Sequence, residues 1–506
     1  MTKYDFYKKL KSGTDIRGVA VETEKNKVEL TDEAVYDLTV GFANWLCENG
    51  VEKGSNIAVG HDSRISAERI KACVIKALCD CGFNVYDCSL ASTPAMFMTT
   101  VDLDCAGSVQ ITASHHPFDR NGLKFFTKNG GLNSEDISKL IELSCNYEIS
   151  SEEKGSVTAT DYMTVYAKRL RDMICREVNA EDYEKPLKNY KIVVDAGNGV
   201  GGFYADEVLS KLGADVTGSQ FLNPDGMFPN HAPNPENKEA MISVSKATVE
   251  NGADLGVIFD TDVDRAGCVD ENGNEINRNR LVALAALIAL DGNDGGTIVT
   301  DSVTSTGLTE FINKNLGGVH YRYKRGYRNV INKQIELNEK GVNCPLAIET
   351  SGHAALRENY YLDDGAYLMT KIIIKMAQLG REGKKLDSLI CDLKDPLEAI
   401  ELRPKIIPED FRAYGESVIS ELEKFASQKD GWKTADDNRE GIRVFLDEEH
   451  GNGWFLLRLS VHDPLMPFNA ESDSEGGVKQ IVKEAYEFFK ACDGLDISMV
   501  ENYLKD

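Results

Sequence analysis

Gly107-Ser108-Val109-Gln110-Ile111 reads as a β-strand, and it delivers Thr112-Ala113-Ser114-His115-His116-Pro117 into a loop. A hydroxyl at the end of a strand, among small residues and two imidazoles, with Asn121-Gly122-Leu123-Lys124 just beyond, is a cradle for a phosphorylated serine. The loop has no carboxylate to complete a nucleophilic triad, so the activating charge must come from elsewhere in the chain. Taken alone, Ser-His-His reads equally well as a polar turn whose histidines cap backbone groups.

The flanking sequence sets the fold class. Asn56-Ile57-Ala58-Val59-Gly60 is a buried-strand pattern, followed by His61-Asp62-Ser63-Arg64 and a helix to Leu78. A second strand at 84–90 leads to a turn at Thr93-Pro94-Ala95. Strands alternating with helices predict βαβ units and a mixed or parallel sheet, and such sheets carry their chemistry at the ends of strands. A charged passage at 150–155 marks a boundary, after which a helix at 162–175 precedes the strand Tyr190-Lys191-Ile192-Val193-Val194-Asp195.

That strand runs into Ala196-Gly197-Asn198-Gly199-Val200-Gly201-Gly202, which satisfies the G-x-G-x-x-G pattern of dinucleotide binding. The pattern also needs an acid at the tip of the next strand. Here the next strand, Ala214-Asp215-Val216-Thr217, ends in Gly218-Ser219, so the turn is read as a tight strand-to-helix connection rather than a nicotinamide site. Residues 223–235, rich in proline and asparagine, form a connection.

The strand at 254–259 then delivers Asp260-Thr261-Asp262-Val263-Asp264-Arg265. Carboxylates at i, i+2 and i+4 of a loop can converge on one hard cation, and the arginine behind them suggests an anionic guest shared by the two. A calcium loop of the EF-hand type is the rival reading, with Glu271 at its twelfth position, but the sixth position is Arg265 where glycine is needed, and a strand stands where the entering helix should be.

Further on, Tyr323-Lys324-Arg325-Gly326-Tyr327-Arg328 concentrates positive charge in an acidic chain. In Ala347-Ile348-Glu349-Thr350-Ser351-Gly352-His353, Glu349 and Ser351 can exchange hydrogen bonds with vicinal hydroxyls, and His353 can move a proton. From about Leu402 the pattern changes to α+β, and Gly453-Trp454-Phe455-Leu456-Leu457-Arg458-Leu459-Ser460-Val461-His462-Asp463-Pro464 presents a phosphate gripper.

Taken in order, these segments resemble the motifs of the α-D-phosphohexomutases: Gly13-Thr14-Asp15-Ile16-Arg17-Gly18, the serine loop, the three aspartates with Arg265, the Glu349 loop and the Arg458 loop. The sequence departs from the usual glycine at Thr261 and Ile348, and from the usual glycine and threonine at Val461 and His462. The resemblance implies four domains around a central cleft: α/β domains with mixed sheets at 1–158, 159–277 and 278–398, and a smaller α+β domain at 399–506. It implies reversible transfer of phosphate between C1 and C6 of a hexose through phospho-Ser114 and a hexose 1,6-bisphosphate. Ser114, His115, Lys124, Arg17 and Arg265 are the implied catalytic groups. Mg²⁺ is expected on Ser114, Asp260, Asp262 and Asp264, and glucose 1,6-bisphosphate is expected as activator. Lys324, Arg325, Glu349, Ser351, His353, Arg458, Ser460 and His462 are expected to bind the substrate. A phosphoglucomutase/phosphomannomutase is expected, with phosphoglucosamine mutase and a non-catalytic phosphosugar-binding relative as the alternatives.

Composition bounds the partners. In 506 residues, Lys+Arg 57 against Asp+Glu 82 gives a net charge of −25, which repels nucleic acid and anionic membrane, so an anionic substrate needs a local basic pocket. The longest apolar helix pattern, 281–290, is too short for a bilayer. Twelve scattered cysteines read as reduced thiols. A cytoplasmic protein acting on a small-molecule hexose phosphate, monomeric or homodimeric, is expected.

Overall fold

The computed structural model describes residues 2–148, 153–460 and 463–505. It divides into two compact units, one of residues 1–293 and 345–391, the other of residues 294–344 and 392–506.

The first unit opens on an eight-stranded mixed sheet. Asn56–His61 lies at its centre, parallel to Asn84–Leu90 on one side and to Gly107–Ile111 on the other, while Arg120–Thr127 returns antiparallel to Gly107–Ile111. Its central strands Asn56–His61, Gly107–Ile111 and Arg120–Thr127 are buried on both faces, whereas Asn84–Leu90 and Val157–Ala159 toward one edge are partly exposed. Val35, Leu38, Phe42 and Leu46 form one stripe of helix Asp32–Glu48, and Ile70, Val74, Ala77 and Leu78 a stripe of helix Ala67–Asp80. Both stripes are fully buried with Ile57, Val59, Val109, Ile111 and Leu123. Thr31 caps the first of these helices, accepting from the Ala34 amide at 3.2 Å. The expected turn at Thr93-Pro94-Ala95 is instead the start of helix Thr93–Asp102: Ser92 caps it, and proline in the first turn gives up no helical hydrogen bond. Val157–Ala159 adds a strand parallel to Asn84–Leu90.

A second sheet follows in the same unit. Leu255–Phe259 runs parallel to Ile192–Asp195 and antiparallel to Ala266–Asp270, so residues 260–265 are the loop of a β-hairpin whose last pair is Phe259 with Ala266. The strand expected at 214–217 is reduced to a single bridge between Lys191 and Asp215. The glycine-rich turn has a structural purpose. A Cβ on Gly199 would lie 2.6 Å from the Thr261 carbonyl oxygen, and the Val200 amide donates to that oxygen at 2.9 Å. The turn therefore holds the aspartate hairpin by close backbone approach, which only glycine permits. Leu346–Ile348 and Ala354–Leu356 form another hairpin, whose loop carries Glu349 to His353.

The second unit contains the parallel pair Thr297–Thr300 and Val319–Arg322. It also holds a five-stranded antiparallel sheet ordered Glu398–Leu402, Phe468–Ser472, Gly453–Leu457, Ile442–Leu446, Trp432–Thr434. Helices Phe411–Ala426 and Gly477–Phe489 cover it, burying Val418, Leu422, Ile481 and Val482 against Phe455, Leu457 and Phe468. Among the described residues no helix is long and apolar enough to cross a membrane, and all twelve cysteines are free thiols.

Candidate active site

Ser114 sits where Gly107–Ile111 ends, with a left-handed backbone (φ 52°) that costs a non-glycine residue roughly 1–2 kcal/mol. What holds it there is a residue whose role was not read from the sequence. The guanidinium of Arg64 is wholly buried and donates to four loop carbonyls: those of Ser114, His116 (2.6 Å), Pro117 (2.6 Å) and Arg120 (2.8 Å). Its charge is met by Asp62 at 3.2 Å. Asp62 also accepts from the Thr112 hydroxyl at 2.7 Å, and the Thr112 oxygen in turn accepts from the Ser114 amide at 2.9 Å. The Asp-x-Arg signal lay in plain view after a strand, but nothing in sequence spacing says that it will fold over a loop fifty residues away.

The strain serves to aim one hydroxyl. Ser114 Oγ donates to Asp260 at 2.9 Å and accepts from Arg265 Nη2 at 3.0 Å. The same Nη2 reaches Asp260 at 3.0 Å and His115 Nδ1 at 2.7 Å. Dehydration of the His115 ring, then the Arg265 cation beside it, pushes its pKa down, so Nδ1 is an acceptor here. Asn234, from the connection after the glycine turn, accepts from Arg265 Nη1 at 3.1 Å.

Asp260, Asp262 and Asp264 are buried, with ligand oxygens within 4.8 Å of one another. Burial raises the Asp260 pKa well above the usual carboxylate range, and the charges of Asp264 and Asp262 add to the effect. Burial works the same way on Asp264 but is outweighed by Lys124, His353 and Arg265, which leave it ionised. Lys124 Nζ donates to Asp262 at 3.1 Å and to Asp264 at 2.5 Å. One oxygen of Asp262 and one of Asp264 are buried without a hydrogen-bond partner among the described residues. Converging carboxylates with orphaned oxygens fit a hard cation, and this cluster could hold a metal ion.

The Glu349 loop lies beside this cluster. Arg265 and His353 form an antiparallel bridge, and Gly352 (φ 94°) sits so close that a Cβ would be 2.6 Å from the Ala266 carbonyl oxygen. His353 Nδ1 is 2.5 Å from Asp363 and 4.0 Å from Asp264. Burial opposes its protonation, but the two carboxylates prevail and push its pKa up to about 9. Glu349 and Ser351 are buried and meet at 3.5 Å, and Ile348 fills the core behind them. Arg17, on Asp15–Val19, donates to Asp15 at 2.7 Å.

The first unit thus gathers Ser114, His115, Lys124, Arg265, the three aspartates and His353, with Glu349 and Ser351 on the adjoining loop. The other expected binding residues lie in the second unit. Lys324 is exposed, and the Arg325 amide donates to Glu440 at 3.1 Å. Arg458 is buried at the end of Gly453–Leu457, and Ser460 Oγ accepts from the Asp463 amide at 3.3 Å. Val461 and His462 lie outside the described residues.

Comparison with known proteins gives three adjoining matches. Family models described as phosphoglucomutase/phosphomannomutase alpha/beta/alpha domains I, II and III match residues 8–151, 165–273 and 277–395. A phosphomannomutase/phosphoglucomutase of Pseudomonas syringae pv. tomato is 31% identical over 468 residues, 92% of either chain. A phosphoglucomutase of Neisseria gonorrhoeae is 31% identical over 470 residues, 92% of this chain and 94% of its own. In fold, a crystal structure of a phosphoglucomutase/phosphomannomutase family protein from Burkholderia thailandensis matches with a TM-score of 0.77 at 24% identity, covering 98% of this chain and 99% of that one.

Proposed function

Because this chain belongs to the phosphoglucomutase/phosphomannomutase family, we propose that it interconverts hexose 1-phosphates and hexose 6-phosphates through a phosphorylated Ser114. The observation that carries this reading is the serine hydroxyl fixed between Asp260 and Arg265, at 2.9 and 3.0 Å. A sugar hydroxyl attacks the phosphorus of phospho-Ser114, the P–Oγ bond breaks, and a hexose bisphosphate forms. Its other phosphate then returns to Ser114, releasing the isomeric monophosphate.

Arg265 and Lys124 supply positive charge at the reacting end, with His115 and Arg17 beside them. His115, held neutral beside Ser114, carries the sugar hydroxyl's proton to the departing Ser114 Oγ, while His353, kept protonated by Asp363 and Asp264, donates to the substrate as a charged group. Asp260, Asp262 and Asp264, with a phosphate oxygen on Ser114, would hold Mg²⁺, which offsets the charge of the phosphoryl group in flight. Arg325, Arg458 and Ser460, with Lys324 and His462, take the phosphate that is not reacting. Glu349 and Ser351 bond hydroxyls 3 and 4, which glucose and mannose share, and leave position 2 unread; overlapping specificity follows. We read the chain as four segments, 1–158, 159–277, 278–398 and 399–506, working in the cytoplasm as a monomer or homodimer. Glucose 1,6-bisphosphate is the activator that primes the serine.

The test is a side-by-side assay of glucose, mannose and glucosamine 1-phosphates with Mg²⁺ and a trace of glucose 1,6-bisphosphate. Comparable turnover of the first two is expected. A rate confined to glucosamine 1-phosphate would make this a phosphoglucosamine mutase. No rate on any of them, with Ser114 phosphorylated, would make it a non-catalytic phosphosugar-binding relative.

A further inference from the structure

In the second unit, Arg443 is a buried cation with no ion-pair partner among the described residues. Arg443 lies on the strand Ile442–Leu446, is 3% exposed, and stacks its guanidinium 3.5 Å over the Trp454 ring. Nη1 donates to the carbonyls of Thr304 at 2.9 Å and Ser302 at 3.3 Å. Nε and Nη2 are buried, with no hydrogen-bond partner among the described residues. Buried arginine nitrogens normally find acceptors, so two on one side chain call for an explanation.

The surroundings sharpen it. A cavity of about 10 Å³ is lined by Arg322, Arg439 and Arg443, with Asp437 and Glu440 as its carboxylates. Both acids are engaged elsewhere: Asp437 pairs with Arg322 at 3.1 Å, and Glu440 accepts from the Ser302 hydroxyl and the Arg325 amide. Glu471, the remaining carboxylate whose charge reaches Arg443, is bound by Trp454 Nε1 at 3.0 Å, and burial pushes its pKa up to about 7 despite that arginine. Arg443 is therefore short of negative charge. Burial above all, then the like charge of Arg322, works against its protonated form. The space admits one guest of roughly water size and no polyatomic anion such as phosphate.

We propose that this cavity binds a single monatomic anion, chloride in the cell, on Nε and Nη2 of Arg443. The anion would supply the two missing acceptors and neutralise the excess guanidinium charge behind the Ser302–Thr304 carbonyls. Nothing in this proposal depends on the mutase reading.

Crystals of the full-length protein soaked in sodium bromide and measured at the bromine edge test it directly. An anomalous peak at Arg443 is expected, and density for water with no anomalous signal there would overturn the proposal. In solution, replacing sodium gluconate by sodium chloride at constant ionic strength should raise Tm by about 1–2 °C at tenfold excess over Kd, with a similar further rise for each decade of chloride beyond it. Arg443→Lys, which keeps the charge but loses the fork, should abolish that response. A wild-type Tm indifferent to chloride, or an equal rise in Arg443→Lys, would contradict the site.

Discussion

At Ser114 the surrounding charges are already interlocked: the hydroxyl bonds Asp260 and Arg265, Lys124 bridges two aspartates, and Arg64 pins the loop through four carbonyls. At Arg458 the arrangement is looser. Among the described residues its Nε has no hydrogen-bond partner, Lys324 is exposed, and Ser460 Oγ accepts from the Asp463 amide. A covalent step needs its atoms fixed before substrate arrives, because positional error there costs rate directly. Under the proposed function, the Arg458 loop grips the non-reacting phosphate, which needs only charge and a few donors. The contrast predicts that changes at the first site act on kcat and changes at the second on KM.

The largest expected effect is at the nucleophile. Ser114→Ala should lower kcat by about 10⁴-fold or more while leaving Tm nearly unchanged, measured by coupled assay and thermal melt. Arg64 breaks the comparison in another way. Arg64→Met strips the loop of its staple and leaves Asp62 buried without its ion pair, so a loss of about 3–5 kcal/mol in chemical denaturation is expected. The surviving folded fraction should turn over roughly 10²-fold more slowly. Normal stability in this variant would mean that the loop is held by something else.

For the aspartate cluster, Asp262→Asn should reduce turnover by roughly 10²–10³-fold and raise the Mg²⁺ concentration needed for half-activity. Its melting temperature in chelator should hold or rise, since one of three crowded charges is gone. Activity in chelator equal to that of the wild type would remove the cation from the reaction. At the gripping end, Arg458→Ala should raise KM by about 30–100-fold, the worth of a charged hydrogen bond, with kcat within a few-fold of wild type.

Stability should also depend on pH. Glu471 is raised from 4.5 to about 7, so between those values the native state keeps a proton that the unfolded chain releases. Native stability then falls as pH rises through this window and levels off above it. Glu471→Gln should erase that slope, gaining up to about 3 kcal/mol relative to wild type at pH 8 compared with pH 4 in urea unfolding.

Sequence reading reached the elements whose signal is local. The strands before Ser114 and Asp260, the α+β character after Leu402 and the three aspartates were legible because a two-residue or 3.6-residue period, or a fixed spacing, is written into consecutive residues. Thr93-Pro94 reads as a turn from sequence because proline signals both a break and a first helical turn, and the Ser92 cap decides for the helix. The strand expected at 214–217 shrank to one bridge although its composition is suitable, since pairing depends on a partner strand that spacing does not reveal. Arg64, Asn234 and Gly199 are invisible as parts of the site because their partners lie fifty, thirty-one and sixty-two residues away.

The measurement that bears most directly on the account is rapid-quench labelling with hexose 1,6-bisphosphate carrying ³²P, followed by peptide mapping. The account predicts label on the peptide containing Ser114, appearing at least as fast as turnover and chased off by unlabelled hexose monophosphate. Turnover of hexose phosphates with no label on Ser114 would contradict it.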